Sequence, residues 1–285
     1  LAKGKIAFIT DSTAYLTDEL RNHPDVYIVP MIIISEGEQY EDGVDLSADE
    51  LYDIIRKNKE VPKTSQPSVG KFVELYEMLK SDYDQAIAIH VSHKLSGTIS
   101  SSAAAKEQVG FDVEIVDARS LSFTITELLT KGLQLVEKNL DVSKIANELR
   151  NQVTTSKNLI LLGKLDQLYK GGRMSGAQFL LGNLLQIKPI LSINNEGELE
   201  LYERVRSEKK ATAKIVELIK QSSESTSVKQ VGIMHGNELQ KALELKDMIK
   251  ETLPQLNIVI GEISSSLAVH AGEGSLAVFW HEEKS

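Results

Sequence analysis

The stretch AIAIHVSHKLSGTISSSAAAKEQ at residues 86–108 runs from an apolar segment into Ser96, Gly97, Thr98, Ser100, Ser101 and Ser102, and then into a helix-period segment. Hydroxyls at a strand–helix junction have two uses. They cap the helix by accepting a hydrogen bond from one of its first N–H groups. With the helix's own N–H donors and positive end they also make a seat for an oxyanion, and a glycine among them lets a ligand approach the backbone closely. Two other loops share this make-up, Asp11-Ser12-Thr13 and Thr64-Ser65-Gln66-Pro67-Ser68. Ligands of open α/β sheets sit beyond the carboxyl ends of the strands, so the pattern predicts that the three loops gather into a small oxyanion cradle. At any single loop, capping alone remains the alternative.

Hydroxyls do not neutralise a carboxylate, and a cation or protonated imidazole would strengthen such a site. Of six histidines, His270 lies in SSSLAVHAGEGSLAVFW, bracketed by small residues and two glycines that permit close approach to another group. A structural or solvated histidine is the alternative. His90 and His93 fall on either side of a strand end with no acidic residue completing a zinc pattern, so no metal site is expected. Arg173 follows two glycines in YKGGRMSGAQFLLGNLLQIKP and precedes a nearly uncharged segment with six apolar residues in nine, Phe179, Leu180, Leu181, Leu184, Leu185 and Ile187. These apolar residues exceed one amphipathic stripe. The segment reads as a buried helix, as a wall of an apolar tunnel, or as a face that meets lipid or a partner. A polar cradle with an apolar wall suits an anionic head with a long greasy tail.

Other chemistries lack their signatures. The chain has no cysteine, which excludes thiol catalysis and disulfides. There is no G-x-S-x-G elbow, no Walker A sequence, and no G-x-G-x-x-G after a strand. A net charge of −9 argues against nucleic acid as a partner. The basic cluster ERVRSEKKATAK at residues 203–214 reads as the solvated face of a helix. No run is long enough to span a bilayer and no signal-peptide pattern is evident, so a cytoplasmic location is expected.

The elements that position these residues read as α/β. Strands are expected at KIAFIT, VYIVPMIII (with Pro30 at an edge or bend), residues 86–91 and DVEIVDA. Helices alternate with them, including DLSADELYDIIRKN with Ser47 and Glu50 in capping-box spacing. That alternation predicts a mainly parallel sheet flanked by helices. From NLILLGKLDQL onward the texture changes. KPILSINNEGELELYERV reads as a hairpin, followed by helices at about 207–221 and 238–252 and strands at QVGIMHG, NIVIGEI and SLAVFWH. A second domain with a mixed or antiparallel sheet and helices is therefore expected, with domains at 1–157 and 158–285.

ITDST (9–13), TSQPS (64–68), LSGTISS (95–101), VDARS (116–120), YKGGRMS (169–175), KPIL (188–191), RVRSEKKA (204–211) and VHAGEGSLAVFW (269–280) occur in this order over nearly the whole chain. Together they resemble the DegV family, the group that includes the fatty-acid-binding subunits of bacterial fatty acid kinase. The resemblance implies a two-domain α/β protein that holds a long-chain fatty acid between its domains, with no cofactor. Thr64 and Ser96 would bond the acyl carboxylate, aided by the Gly97 N–H and His270. Thr98 and Arg173 would stand nearby. Phe179, Leu180, Leu184 and Ile187 would line the tunnel. The protein would not be an enzyme. It would present the carboxylate to a separate ATP-dependent kinase that makes acyl-phosphate for phospholipid synthesis, with transient membrane-surface contact as a further expectation. Arg204 and Arg206 would contact that kinase or form an interdomain ion pair. The rival readings are an esterase using Ser96 and His270, with Glu273 orienting the imidazole, and a regulatory adaptor whose lipid is structural.

Overall fold

The computed structural model describes residues 4–57, 61–173 and 188–283. By their contacts the described residues divide into two compact units. The first comprises those of Leu1–Ser47, Pro62–Thr154 and Ser264–Ser266, and the second those of Ala48–Val61, Thr155–Ile263 and Leu267–Ser285.

In the first unit, strands β1 (Ile6–Asp11), β2 (Val26–Val29), β6 (Gln85–His90) and β7 (Val113–Asp117) form a sheet in the order β2-β1-β6-β7. Every pairing in it is parallel. Strand alternation sends side chains to two separate cores. Phe8, Ile87 and Ile89 pack with Ile125, Leu128, Ile145 and Leu149 of helices α5 (Phe123–Glu137) and α6 (Val142–Val153). Ala7, Ile9, Ala86 and Ala88 face Phe72, Tyr76 and Ala105 of α3 (Val69–Asp82) and α4 (Thr98–Val109). The short side chains on this second face make room for the large aromatics of α3.

The run VYIVPMIII does not form one strand. Pro30, which has no N–H to offer a ladder, separates β2 from β3 (Ile32–Ser35), and the two join different sheets. β3 lies between β4 (Glu38–Glu41) and β5 (Lys63–Ser65) in an antiparallel three-stranded sheet. Thr64 and Ser65, expected in a loop, are thus partly strand, with Thr64 opposite Ile33.

In the second unit, strands β8 (Ser156–Leu161), β9 (Lys188–Ile193), β10 (Leu199–Val205), β11 (Gln230–His235), β12 (Asn257–Glu262) and β13 (Leu276–His281) form a mixed sheet in the order β10-β9-β8-β13-β11-β12. Within this sheet, only the β11–β12 pairing is parallel among the described residues. Ile215 and Ile219 of α8 (Glu208–Ser225) and Leu245 and Ile249 of α9 (Leu239–Thr252) cover the face that carries Leu159, Ile233 and Val278. Helix α2 (Ala48–Lys57) begins directly after Ser47. The serine run at residues 264–266 opens helix α10 (Ser265–Ala271), which the apolar pattern does not announce. No helix among the described residues is long and apolar enough to cross a membrane.

Candidate functional site

The three hydroxyl loops come together in the first unit. Asp11 ends β1 fully buried, and its carboxyl group fixes the loop that follows. Oδ1 accepts from the Thr13 hydroxyl at 2.6 Å and the Thr13 N–H at 3.1 Å. Oδ2 accepts the Val91 N–H at 3.0 Å and lies 3.2 Å from Nδ1 of His90, which is itself fully buried edge-on against Phe72. One side chain thereby ties the end of β1 to the end of β6. Ser12 Oγ accepts the Met31 N–H at 2.9 Å, while Met31 Sδ lies 3.5 Å from Thr98 Oγ1, so Met31 joins the first loop to the third. The second loop arrives through Gln66. A Cβ placed on Gly97 would stand 3.0 Å from Gln66 Nε2, so that close approach is what the glycine at the start of α4 provides.

Ser96 is half-buried. Its Oγ lies 2.8 Å from Thr98 Oγ1 and accepts the Thr98 N–H at 3.3 Å, and its own N–H donates to Ser92 O. Thr98 is fully buried and Thr64 half-buried. Near these loops Ser12 donates to Asp42, a buried carboxyl that also receives the hydroxyls of Ser264 and Ser266 and the Ser266 backbone. Burial outweighs these bonds and raises its pKa. Asp42 thus holds the first turn of α10, and His270 lies in the last turn of the same helix.

In the second unit, His270 and Arg173 meet the GGR motif. A Cβ on Gly171 would sit 2.2 Å from His270 Nδ1, so only glycine leaves room for the imidazole. Gly172 takes a left-handed φ of +68°, a conformation glycine adopts at little cost. Arg173 turns back to donate Nη1–H to Gly171 O at 2.7 Å. Burial, and secondarily the charge of Arg173, push the His270 imidazole down to about 4. At neutral pH it is therefore an uncharged hydrogen-bonding group rather than a positive charge. An unfolded chain, with its histidine at the ordinary 6.5, takes up the proton before the folded one does. Stability accordingly falls as pH drops from about 6.5 toward about 4, and returns as pH rises. His270→Gln flattens this dependence in urea-midpoint measurements, and parallel slopes for the two proteins would rule out His270 as its source.

Glu273, the acid that an esterase would require beside His270, is engaged elsewhere. Its Oε1 accepts from Arg56 Nη2 at 2.6 Å and from Asn237 Nδ2 at 2.6 Å, while Oε2 accepts from Arg56 Nε. His90 and His93 do not converge: His93 is exposed beside Asp117. No group of three metal-ligating side chains occurs among the described residues. Arg204 and Arg206 are exposed at the end of β10, and the neighbouring basic stretch forms ordinary surface pairs such as Lys214–Glu203. Phe179, Leu180, Leu184 and Ile187 lie outside the described residues. Sequence reasoning passed over Asp11 as a hub, Asp42, Gln66 and the fit of Gly171 to His270. The only advance signal was a buried-type Asp ending an apolar strand in ITDST.

A family profile described as "Uncharacterised protein, DegV family" matches residues 5–283. The chain belongs to the DegV family. It is 34% identical to a DegV domain-containing protein of Halalkalibacterium halodurans, across 98% of this chain and 99% of that one. A fatty acid binding DegV family protein from Streptococcus agalactiae superposes with a TM-score of 0.92 at 31% identity, covering 99% of this chain and 100% of that one. DegV from Bacillus subtilis, a fatty acid binding protein, superposes with a TM-score of 0.89 at 30% identity over 99% and 100%. As a DegV family member the chain has the α/β architecture of these structures, with one parallel and one mixed sheet.

Proposed function

We propose that this protein holds one long-chain fatty acid and makes or breaks no bond itself. The hydroxyls of Thr64 and Ser96 and the Gly97 N–H take the carboxylate, with His270 as a neutral donor and Arg173 as the nearby charge. Thr98 orders Ser96. Residues 158–285 supply His270 and the apolar tunnel, to which we assign Phe179, Leu180, Leu184 and Ile187. The observation carrying this reading is the convergence of three hydroxyl loops at the carboxyl ends of β1 and β6, in a family whose solved members include fatty-acid-binding proteins. Energetics support it. Each buried methylene contributes about 0.8 kcal/mol, so a sixteen-carbon tail supplies on the order of 10 kcal/mol before association costs.

The same proposal makes the protein a cytoplasmic carrier. It presents the carboxylate to a separate ATP-dependent kinase, which transfers the γ-phosphoryl group to a carboxylate oxygen and releases ADP, yielding acyl-phosphate for phospholipid synthesis. Exposed Arg204 and Arg206 are assigned to the kinase contact, and loading involves transient contact with a membrane surface. Neither a cofactor nor nucleic acid takes part. Denaturing extraction of freshly purified protein followed by mass spectrometry tests the ligand, and a near-stoichiometric fatty acid is the expected result. An extract without fatty acid, from protein that also fails to take up added palmitate, would overturn the reading.

A further inference from the structure

A cavity of about 410 Å³ opens in the second unit, among residues of β8, β9, β10, α8 and β13. Its origin lies in the sheet. β13 pairs with β8 along the whole strand, and β10 pairs with β9 nearly end to end. β8 and β9 pair only at Ile160–Leu191 and Leu161–Ile190. Beyond that point the strands separate, and the buried Asn158 side chain spans the gap, donating to Ile193 O at 3.0 Å and accepting the Ile193 N–H at 2.7 Å. The amide stands in for main chain and leaves a wedge with a polar floor.

The wedge is organised. Trp280 donates its indole N–H to Ser222 Oγ at 3.1 Å, and Ser222 donates to Glu282 Oε1 at 2.7 Å. Asn194 donates to Glu200 Oε2 at 3.0 Å. Glu200 keeps a second oxygen that can accept a hydroxyl, while Glu282 Oε2 faces Lys157 Nζ. The register of β10 shifts between Leu201 and Glu203, which makes Tyr202 the extra residue of a β-bulge, a device that re-aims a side chain. Tyr202 is 45% exposed and lines the cavity.

Three properties define the occupant. The volume falls in the small-molecule range of roughly 300–1,000 Å³. The lining carries Lys157, Glu200 and Glu282, a net charge of −1, with Lys157 already 3.7 Å from Glu282, which disfavours phosphates and fatty carboxylates. Amides, hydroxyls and carboxylates beside an exposed aromatic face suit a ligand that offers many hydroxyls on an apolar ring. We propose that this wedge is a second binding site, for an uncharged saccharide of one or two rings. The proposal is independent of the fatty-acid reading.

Trp280 is the chain's only tryptophan, so its fluorescence reports this cavity directly. Titration of the full chain with glucose, maltose and cellobiose is expected to give a saturable change with at least one of them. Tyr202→Ala and Glu200→Gln weaken that binding by about tenfold or more, and glucose 6-phosphate binds at least about tenfold more weakly than glucose. Fatty-acid content, measured by extraction, stays unchanged in both variants. The proposal is overturned if none of the three sugars gives a saturable response. A response that Tyr202→Ala leaves intact, or a preference for the phosphorylated sugar, would overturn it equally.

Discussion

Ser96→Ala lowers the affinity for palmitate by roughly 10- to 100-fold, whereas Ser101→Ala, one turn into α4, changes it by less than about threefold. The difference follows from how the protons are placed. With the Thr98 hydroxyl pointed at the weak acceptor Met31 Sδ, 3.5 Å away, Ser96 is free to donate across the 2.8 Å contact to Thr98 Oγ1, a pair in which either oxygen can donate. In the proposed complex Ser96 would turn its O–H toward the carboxylate, keeping its proton, and the Thr98 hydroxyl would turn from sulfur to donate to Ser96 Oγ. One strong bond to an ion is gained and a weak bond to sulfur becomes a normal one. Hydrogen bonds to charged groups contribute about 1.5–3 kcal/mol, which is the fold-change stated. Ser101 is buried, and its backbone N–H bonds Gly97 O, a bond that alanine retains. Palmitate displacement titrations on both variants check the result. Equal losses would dissolve the assigned head-group geometry.

Most of the fold was legible because its strands are short, apolar and bounded by turn residues. β1, β6 and β7 read directly as buried parallel strands, and the Asn-Asn-Glu-Gly hairpin joins β9 to β10 as its residues announce. What escaped was set by tertiary context. VYIVPMIII is apolar throughout, and only the placement of its halves in two sheets shows that Pro30 acts as a break. β4 and β5 are short and polar, and α10 is only seven residues long, so no periodicity marks them. At the site, the hydroxyl loops were legible from their composition. The protonation of His270 was not, because it depends on burial and on Arg173 nearby in space. The GGR motif was legible as unusual, but its reason was not: the first glycine makes room for a histidine about a hundred residues away in sequence.

Asp11 carries the second large effect, on stability rather than on direct ligand contact. It is fully buried, and its two oxygens receive two backbone N–H groups and the Thr13 hydroxyl, with the His90 ring beside them. Asp11→Ala strands these groups away from water, and stranding the partners of a buried charged group costs about 3–5 kcal/mol. The effect extends to the cradle. Val91 leads into the turn in which the N–H groups of Leu95 and Ser96 bond Ser92 O, so releasing Val91 unfixes the base of the Ser96 loop. Asp11→Asn keeps an acceptor for Val91 or for Thr13 but not for every donor, and is expected to fall between alanine and the native protein in both urea midpoint and palmitate retention. The two readouts should move together across the series. If Asp11→Ala lowered palmitate binding with the urea midpoint unmoved, Asp11 would be acting on the ligand itself. If stability fell while binding by the folded fraction stayed native, the Ser96 loop would be held in place without it.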